Sequence, residues 1–476
     1  MRALETLLLF CNALSLLALA VPRVREAGVP LYLALLGLAV LALHLSLEGQ
    51  RWQMGPAYLI SVAVLGVAIW VHATSGQTAG RGFVALGLGA LAFAASVALP
   101  LAVPMFSLAE PTGPHAIGSL TYHLWGTKPQ GPGAGAGRDL LVQVWYPAEP
   151  DPNAPFETYL QDELDFGSGL GGVRLPGFFL NHLTRLETHA RRGAAVAAAS
   201  ERYPVLLFSP GANGYRQHNS FQAEDLASHG FVVIGIDHPG AAREVVFPDG
   251  RRVRADPDLM DIPRFFSEPA FGEQVFNTLA QDVSHVIDWV EALDGGDGDD
   301  ILAGRLDTTR VGMFGVSLGG LVAAEACRRD QRLRACLIED VYVPGDVIAA
   351  GVDQPAMWLS RDADSMRAEG WTEDMVRVHQ STMQAAFEGA GEAAYLVHIP
   401  GMFHLNYTDL PLTIAAPVAR ALGLTGAMDW RRGHEIINAY ALAFFSRHLK
   451  EEPQQLLSGR SERFPEVEVW SRKELR

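Results

Sequence analysis

The sequence predicts two folds in series. An all-α region of four membrane-crossing helices occupies residues 1–106, and an α/β sandwich with a mostly parallel sheet occupies residues 107–476. Three observations lead there. The front of the chain holds four long, uncharged apolar runs. From Pro111 onward, short continuous apolar runs alternate with stretches of helical period. The charge is divided in the same way: of a net −16, residues 1–106 carry five Arg against three Glu, a net of +2, which leaves −18 for the remainder. At 476 residues the chain also exceeds one ordinary domain.

The apolar runs are Leu7–Val21, Leu31–Leu47, Ala57–Ala73 and Gly82–Leu99. About 20 apolar residues cross the hydrocarbon as a helix, and flanking interfacial residues such as Trp52 and Tyr58 bring the shorter runs to that length. A soluble bundle would show polar stripes at helical period, and these runs do not. Ala18-Leu19-Ala20 also resembles a signal-peptide cleavage site, which would remove the first span. Asn12, His44 and His72 lie at or near membrane depth without evident acidic partners, as expected of interhelical hydrogen bonds or interfacial positions. Ala90, Ala94 and Ala98 form a small-residue face on which a neighbouring helix could pack. Arg23, Arg25 and Arg81 lie on one side of a four-span arrangement, against Arg2, Arg51 and the terminal amine on the other. That count tilts by at most one charge, towards a multi-pass protein with an extracytoplasmic body.

In the body, eight strands are expected. Ser119–Trp125 and Leu140–Tyr146 are rich in β-branched and aromatic residues. Tyr203–Ser209, Phe231–Asp237, Arg310–Phe314, Ala335–Glu339, Pro355–Ser360 and Ala394–Pro400 are continuously apolar, as strands buried on both faces of a parallel sheet must be. Gln217–His229, Gly272–Leu293, Leu318–Arg329, Asp362–Glu388 and Arg432–Leu449 carry helical spacing. Phe156–Arg202 and Pro239–Phe271 interrupt this rhythm. Long excursions of this kind often form lids or binding loops, and Phe178, Phe179 and Leu183 of the first are expected to face an acyl chain.

The chemistry centres on Gly315-Val316-Ser317-Leu318-Gly319, which follows an apolar strand and opens a helical run. A strand-to-helix turn of this type lifts a serine hydroxyl out of the sheet as a nucleophile. It also presents the amide of Leu318 at a helix N-terminus, where an oxyanion can be held. The base is expected to be His404, on the loop after the last strand, in the order Ser, acid, His. For the acid, Asp340, Asp362 and Asp364 all follow strands that could deliver a carboxylate to His404. Ser209-Pro210-Gly211-Ala212 is the expected oxyanion loop, with the amide of Ala212 as second donor.

With those residues in place, the chain resembles the plasma-type platelet-activating factor acetylhydrolase family, a branch of the α/β-hydrolases. The resemblance rests on residues 111–118 (Pro-Thr-Gly-Pro-His-Ala-Ile-Gly), Val144-Trp145-Tyr146-Pro147, Phe208-Ser209-Pro210-Gly211, Leu226-Ala227-Ser228-His229-Gly230-Phe231, the serine elbow and Met402-Phe403-His404. It implies Asp340 as the acid, because the family's acid follows the strand after the nucleophile helix. It also implies an esterase that cleaves short or oxidised acyl esters, often of phospholipids. Two features depart from the family: Pro210 replaces its usual His, and the apolar front is absent from the secreted animal enzymes. Dienelactone-hydrolase-like bacterial esterases are the nearest alternative relatives.

The expected protein is thus a membrane-anchored serine carboxylester hydrolase with Ser317, Asp340 and His404 as catalytic residues and Ala212 and Leu318 as oxyanion donors. Its partners are an ester or lipid substrate and the bilayer, with the oligomeric state left open. The acidic balance argues against nucleic acid. This chemistry calls for no metal or organic cofactor, and Cys327 and Cys336 lack metal-ligand spacing. Three cysteines also exclude a disulfide scaffold. Two rivals share these residues: an acyltransferase in which an alcohol or amine replaces water, and a silent membrane sensor or scaffold. Product analysis with added acceptors separates the first, and fluorophosphonate labelling of Ser317 separates the second.

Overall fold

The structure, a computed structural model, describes residues 1–74, 82–126, 138–167, 175–296 and 300–473. The chain divides into two units: Met1–Phe106 with Leu412–Val418, and Ser107–Pro411 with Ala419–Arg476.

The first unit is helical: α1 (Ala3–Ala20), the short α2 (Pro22–Glu26), α3 (Val29–Leu47), α4 (Gly55–Ala73) and α5 (Gly82–Ala102). Among the described residues, three helices are long and apolar enough to cross a membrane, Ala3–Ala20, Val29–Leu47 and Trp52–Ala73. At 1.5 Å per residue, 18 to 22 residues reach about 27–33 Å. Of the four expected spans, three meet that length among the described residues; the described apolar part of α5, Gly87–Ala102, is shorter. Phe10, Leu17, Leu36, Leu59, Val62 and Trp70 are exposed, a costly arrangement in water and an ordinary one in lipid.

Several polar groups in this unit are paired. Asn12 Nδ2 donates to the Ala57 carbonyl at 2.9 Å, and Ser61 Oγ donates to Asn12 Oδ1 at 2.9 Å. His44 does have an acidic partner: Nδ1 donates to Glu48 at 3.0 Å, and Nε2 accepts from Tyr58 at 2.8 Å. Glu5 and Arg51 form a fully buried pair at 2.7 Å. Ala90, Ala94 and Ala98 are exposed, so the expected small-residue packing face is not the one used; Ala92, Phe93 and Val97 pack inward instead.

The second unit is built on one sheet. Its strands are β1 (Ala116–Leu124), β2 (Leu140–Ala148), β3 (Phe156–Thr158), β4 (Glu187–Arg192), β5 (Tyr203–Ser209), β6 (Val232–Asp237), β9 (Leu306–Val316), β10 (Leu333–Glu339), β11 (Ala356–Ser360), β12 (Ala394–His398) and β13 (Glu468–Ser471), while β7 (Glu244–Val246) and β8 (Arg252–Arg254) pair separately. Among the described residues the sheet order is β13-β12-β11-β10-β9-β5-β6-β2-β1-β4-β3. The six central strands, β12 to β6 in that order, run parallel. Helices complete the sandwich: α6 (Ser220–Ser228), α7 (Ile262–Ser267), α8 (Pro269–Asp294), α9 (Leu318–Arg329), α10 (Gly345–Ala350), α11 (Ala363–Ala368), α12 (Glu373–Gly389), α13 (Ala416–Ala421) and α14 (Trp430–Leu449).

All eight expected strands are present, and the mostly parallel sheet is as expected. The apolar continuity that marks them has a direct cause. Every residue of β5 and β6 is buried, because helices cover both faces. The insertion Phe156–Arg202 supplies β3 and β4, which extend the sheet edge. The expected single helix Asp362–Glu388 is two, broken where Gly370 takes φ 94° and Thr372 caps the next helix by accepting from the Met375 amide. Cys327 at the end of α9 and Cys336 in β10 are joined by a disulfide.

Candidate active site

The parallel strands β5, β9, β10, β11 and β12 end on one edge, and the candidate residues follow those ends directly. Ser317 alone joins β9 to α9, at φ 56° and ψ −123°. A non-glycine residue held there stores about 1–3 kcal/mol. Its amide donates to the Glu339 carbonyl at 2.9 Å, and its own carbonyl accepts from Gly320 at 2.8 Å. The flanking glycines are required by contact: a Cβ on Gly319 would lie 1.8 Å from the Ser209 carbonyl oxygen, and one on Gly315 would lie 2.2 Å from that of Gly319.

His404 Nε2 accepts from the Ser317 hydroxyl at 3.0 Å, and Nδ1 donates to Asp340 Oδ2 at 2.6 Å. Asp340 is itself at a positive φ of 44°, one residue past the end of β10. Its other oxygen accepts from Ser360 Oγ at 3.0 Å and from Arg361 Nε at 3.2 Å. Burial opposes ionisation of this carboxyl, but the Arg361 guanidinium and the His404 bond outweigh it and hold it well below the usual carboxylate range. The alternatives do not reach His404. Asp362 is the N-cap of α11, accepting from the Ser365 amide at 2.9 Å and hydroxyl at 2.6 Å, and Asp364 is exposed and paired with Arg367.

The expected oxyanion loop lies against Ser317: a Cβ on Gly211 would be 3.3 Å from Ser317 Cβ. This brings Ala212 and Leu318, the two expected donors, to the same side chain. The loop is tied from behind. Ser209 Oγ donates to His238 Nε2 at 3.0 Å, His238 Nδ1 donates to Asp282 at 3.0 Å, and the Asn213 amide donates to the Ala241 carbonyl at 3.0 Å. This second Ser-His-Asp chain is buried throughout, so it anchors rather than reacts.

A pocket of about 230 Å³ is lined by Ser317 and His404 with Ile262, Phe265, Leu321, Trp371 and Met375. Among the described residues, none of Phe156–Arg202 lines it. The expected wall is corrected for the described residues of the insertion: Phe178 faces solvent, Leu183 is buried and does not line the pocket, and the second insertion supplies Ile262 and Phe265; residues 168–174 lie outside the described residues. Sequence reasoning also missed three residues around the acid: Arg361, Glu369 and His379. His379 is 2% exposed, and its Nε2 lies 3.7 Å from Asp340. Burial, against the pull of Asp340, lowers its pKa to about 4, so it stays neutral at physiological pH.

The family model described as platelet-activating factor acetylhydrolase, isoform II, matches residues 107–462. The chain belongs to this family. Platelet-activating factor acetylhydrolase of Cavia porcellus is 22% identical over 329 residues, covering 65% of this chain and 72% of its own length. A probable 1-alkyl-2-acetylglycerophosphocholine esterase of Arthroderma benhamiae is 25% identical over 387 residues, covering 76% of this chain and 93% of its own. Among solved structures, a ferulic acid esterase from Streptomyces cinnamoneus superposes with a TM-score of 0.61 at 27% identity, covering 77% of this chain and all of that one. With the acetylhydrolase family shown and an esterase as structural neighbour, the chain is a carboxylic ester hydrolase with an α/β-hydrolase body. The family match begins at residue 107, after the apolar helices.

Proposed function

We propose that this acetylhydrolase-family protein is a membrane-anchored serine esterase that cleaves short or modified acyl esters, phospholipid esters among them. The observation that carries the reading is the hydrogen-bonded line Ser317–His404–Asp340, at 3.0 and 2.6 Å, beside a small apolar pocket. In the proposed mechanism Ser317 Oγ attacks the ester carbonyl while His404 Nε2 takes its proton. Asp340 keeps the Nδ1 proton in place and stabilises the imidazolium. The amides of Ala212 and Leu318 receive the oxyanion. His404 then protonates the departing alcohol, and water, deprotonated by the same nitrogen, cleaves the acyl-serine. The pocket volume favours a short or compact acyl group.

The three apolar helices support anchoring in a bilayer. An extracytoplasmic body is supported by the Cys327–Cys336 disulfide, because such bonds persist in oxidising compartments. Three crossings from a cytoplasmic N-terminus would deliver the body to that side. The basic residues do not oppose this, with Arg2, Arg51 and the amine balanced by Arg23, Arg25 and Arg81.

The test is fluorophosphonate labelling of the full chain in detergent, with hydrolysis of p-nitrophenyl esters of rising chain length and of phospholipids with short sn-2 groups. Labelling at Ser317 and a short-chain optimum are expected. Folded protein that neither labels nor hydrolyses would remove the reading, and ester products formed only with an added alcohol would mark a transferase. Protease added to intact cells or spheroplasts should release a fragment beginning near Pro111.

A further inference from the structure

Arg361 is fully buried and follows β11 directly, beside the end of the strand that carries Asp340. Its Nε lies 3.1 Å from Asp340 Oδ2 and 3.2 Å from Oδ1. Its Nη1 is bonded to Glu369, and its guanidinium carbon sits 4.6 Å from the centre of the Trp371 ring. Glu369 in turn accepts the backbone amide of His404 at 2.9 Å. The four groups close a ring. Asp340 holds the His404 side chain, Glu369 holds its backbone, and Arg361 joins the two carboxylates. The break between α11 and α12 makes this possible, because it places Glu369 and Trp371 on a turn.

The charge of the ring matters as much as its shape. Two carboxylates and one guanidinium leave one net negative charge, which matches the single positive charge that His404 gains when it takes the serine proton. Without the guanidinium, the buried Asp340 carboxylate and the half-buried Glu369 carboxylate would act on His404 unopposed. Nearby carboxylates favour an imidazolium, and a protonated imidazole cannot serve as a base. His379 and His218 also interact with His404, and burial keeps both neutral, with pKa values lowered to about 4 and about 3. Arg361 is the cation that contacts both carboxylates.

We propose that Arg361, braced by Glu369, is a positioning residue of the esterase: it fixes Asp340 and His404 relative to Ser317 and sets the pH at which His404 becomes a competent base. The proposal rests on the serine-esterase reading above.

The experiment is the pH dependence of kcat/KM for p-nitrophenyl acetate on the full chain in detergent, for the wild type, Arg361→Gln, Arg361→Lys and Glu369→Gln. In Arg361→Gln the acid limb should move up by about one pH unit, and kcat above the limb should fall about tenfold or more, with KM changed much less. In Glu369→Gln, where the acceptor survives and one negative charge is lost, the limb should move the other way. Arg361→Lys keeps the charge and loses the fork, so the limb should stay while kcat falls. Folded Arg361→Gln or Glu369→Gln with the wild-type limb would overturn the proposal, as would shifts of the same sign in those two variants or a folded Arg361→Lys with wild-type kcat. If Arg361→Gln does not fold, Glu369→Gln and Arg361→Lys decide alone. A wild type that neither hydrolyses esters nor labels at Ser317 would instead overturn the underlying reading.

Discussion

Replacing Asp340 with Asn leaves the shape of the acid almost unchanged and removes its charge. Asp340 is 1% exposed and receives hydrogen bonds from His404, Ser360 and Arg361. An amide in its place can present its NH2 to Nδ1, which turns His404 into the tautomer with its proton on Nε2, facing Ser317. That tautomer cannot accept the hydroxyl proton, and a fall in kcat of up to about 10⁴ follows, or about 5 kcal/mol of transition-state stabilisation. Stability should suffer less, because Arg361 keeps Glu369 as a partner. Its pH dependence carries a second signature. The Asp340 carboxyl is held below its ordinary value in the folded state, so its contribution is present above about pH 4 and is lost as pH falls through the lower folded value. The Asn variant should lack that acid-side loss. Steady-state hydrolysis of p-nitrophenyl acetate and the rate of fluorophosphonate labelling measure the first effect; thermal melts from pH 3 to 7 measure the second. Asp362→Asn is the control, since Asn caps a helix about as well as Asp, and its kcat should stay within about threefold. Activity retained in Asp340→Asn and lost in Asp362→Asn would reverse the assignment of the acid.

Gly319→Ala should yield little folded protein, since its Cβ would meet the Ser209 backbone at 1.8 Å; soluble expression with circular dichroism reads this. Ile262→Ala with Phe265→Ala should lengthen the preferred acyl chain, whereas Phe178→Ala with Phe179→Ala should leave the preference unchanged; the p-nitrophenyl ester series compares them. Burial raises the Glu339 pKa to about 8, so its stabilising proton is present below about pH 4.5 and is lost as pH rises through 8. Glu339→Gln, which can keep the bond to Gln222, should therefore gain on the order of a few kcal/mol at pH 8 and little at pH 4, by denaturant titration. Reducing the Cys327–Cys336 disulfide should cost about 2–3 kcal/mol, read by the same titration with and without reductant.

The sequence by itself determined the alternation of buried strand and helix, because strands covered on both faces must be continuously apolar. It also determined the local geometry around Ser317, because only glycine at 315 and 319 lets that turn close. Elements whose signal is local were legible for that reason: β5 and α9 have the expected bounds, and Ser317, His404 and Ala212 follow strands recognisable from their own residues. The acid was narrower ground. Asp340 and Asp362 both follow apolar strands, and only the fold shows that one meets His404 while the other caps a helix. Arg361 and Glu369 were illegible because their partners lie on other elements: Asp340 on β10's end and His404 beyond β12. The pocket wall was misassigned for the same reason, since apolar spacing marks a face to be buried and does not say against what. The disulfide, too, depends on the packing of α9 against β10, which brings two Cα atoms nine residues apart in sequence to 6.5 Å. Hydropathy and turn chemistry act between neighbours in the chain; charge pairing and cavity lining act between neighbours in space, and only the tertiary structure decides which residues those are.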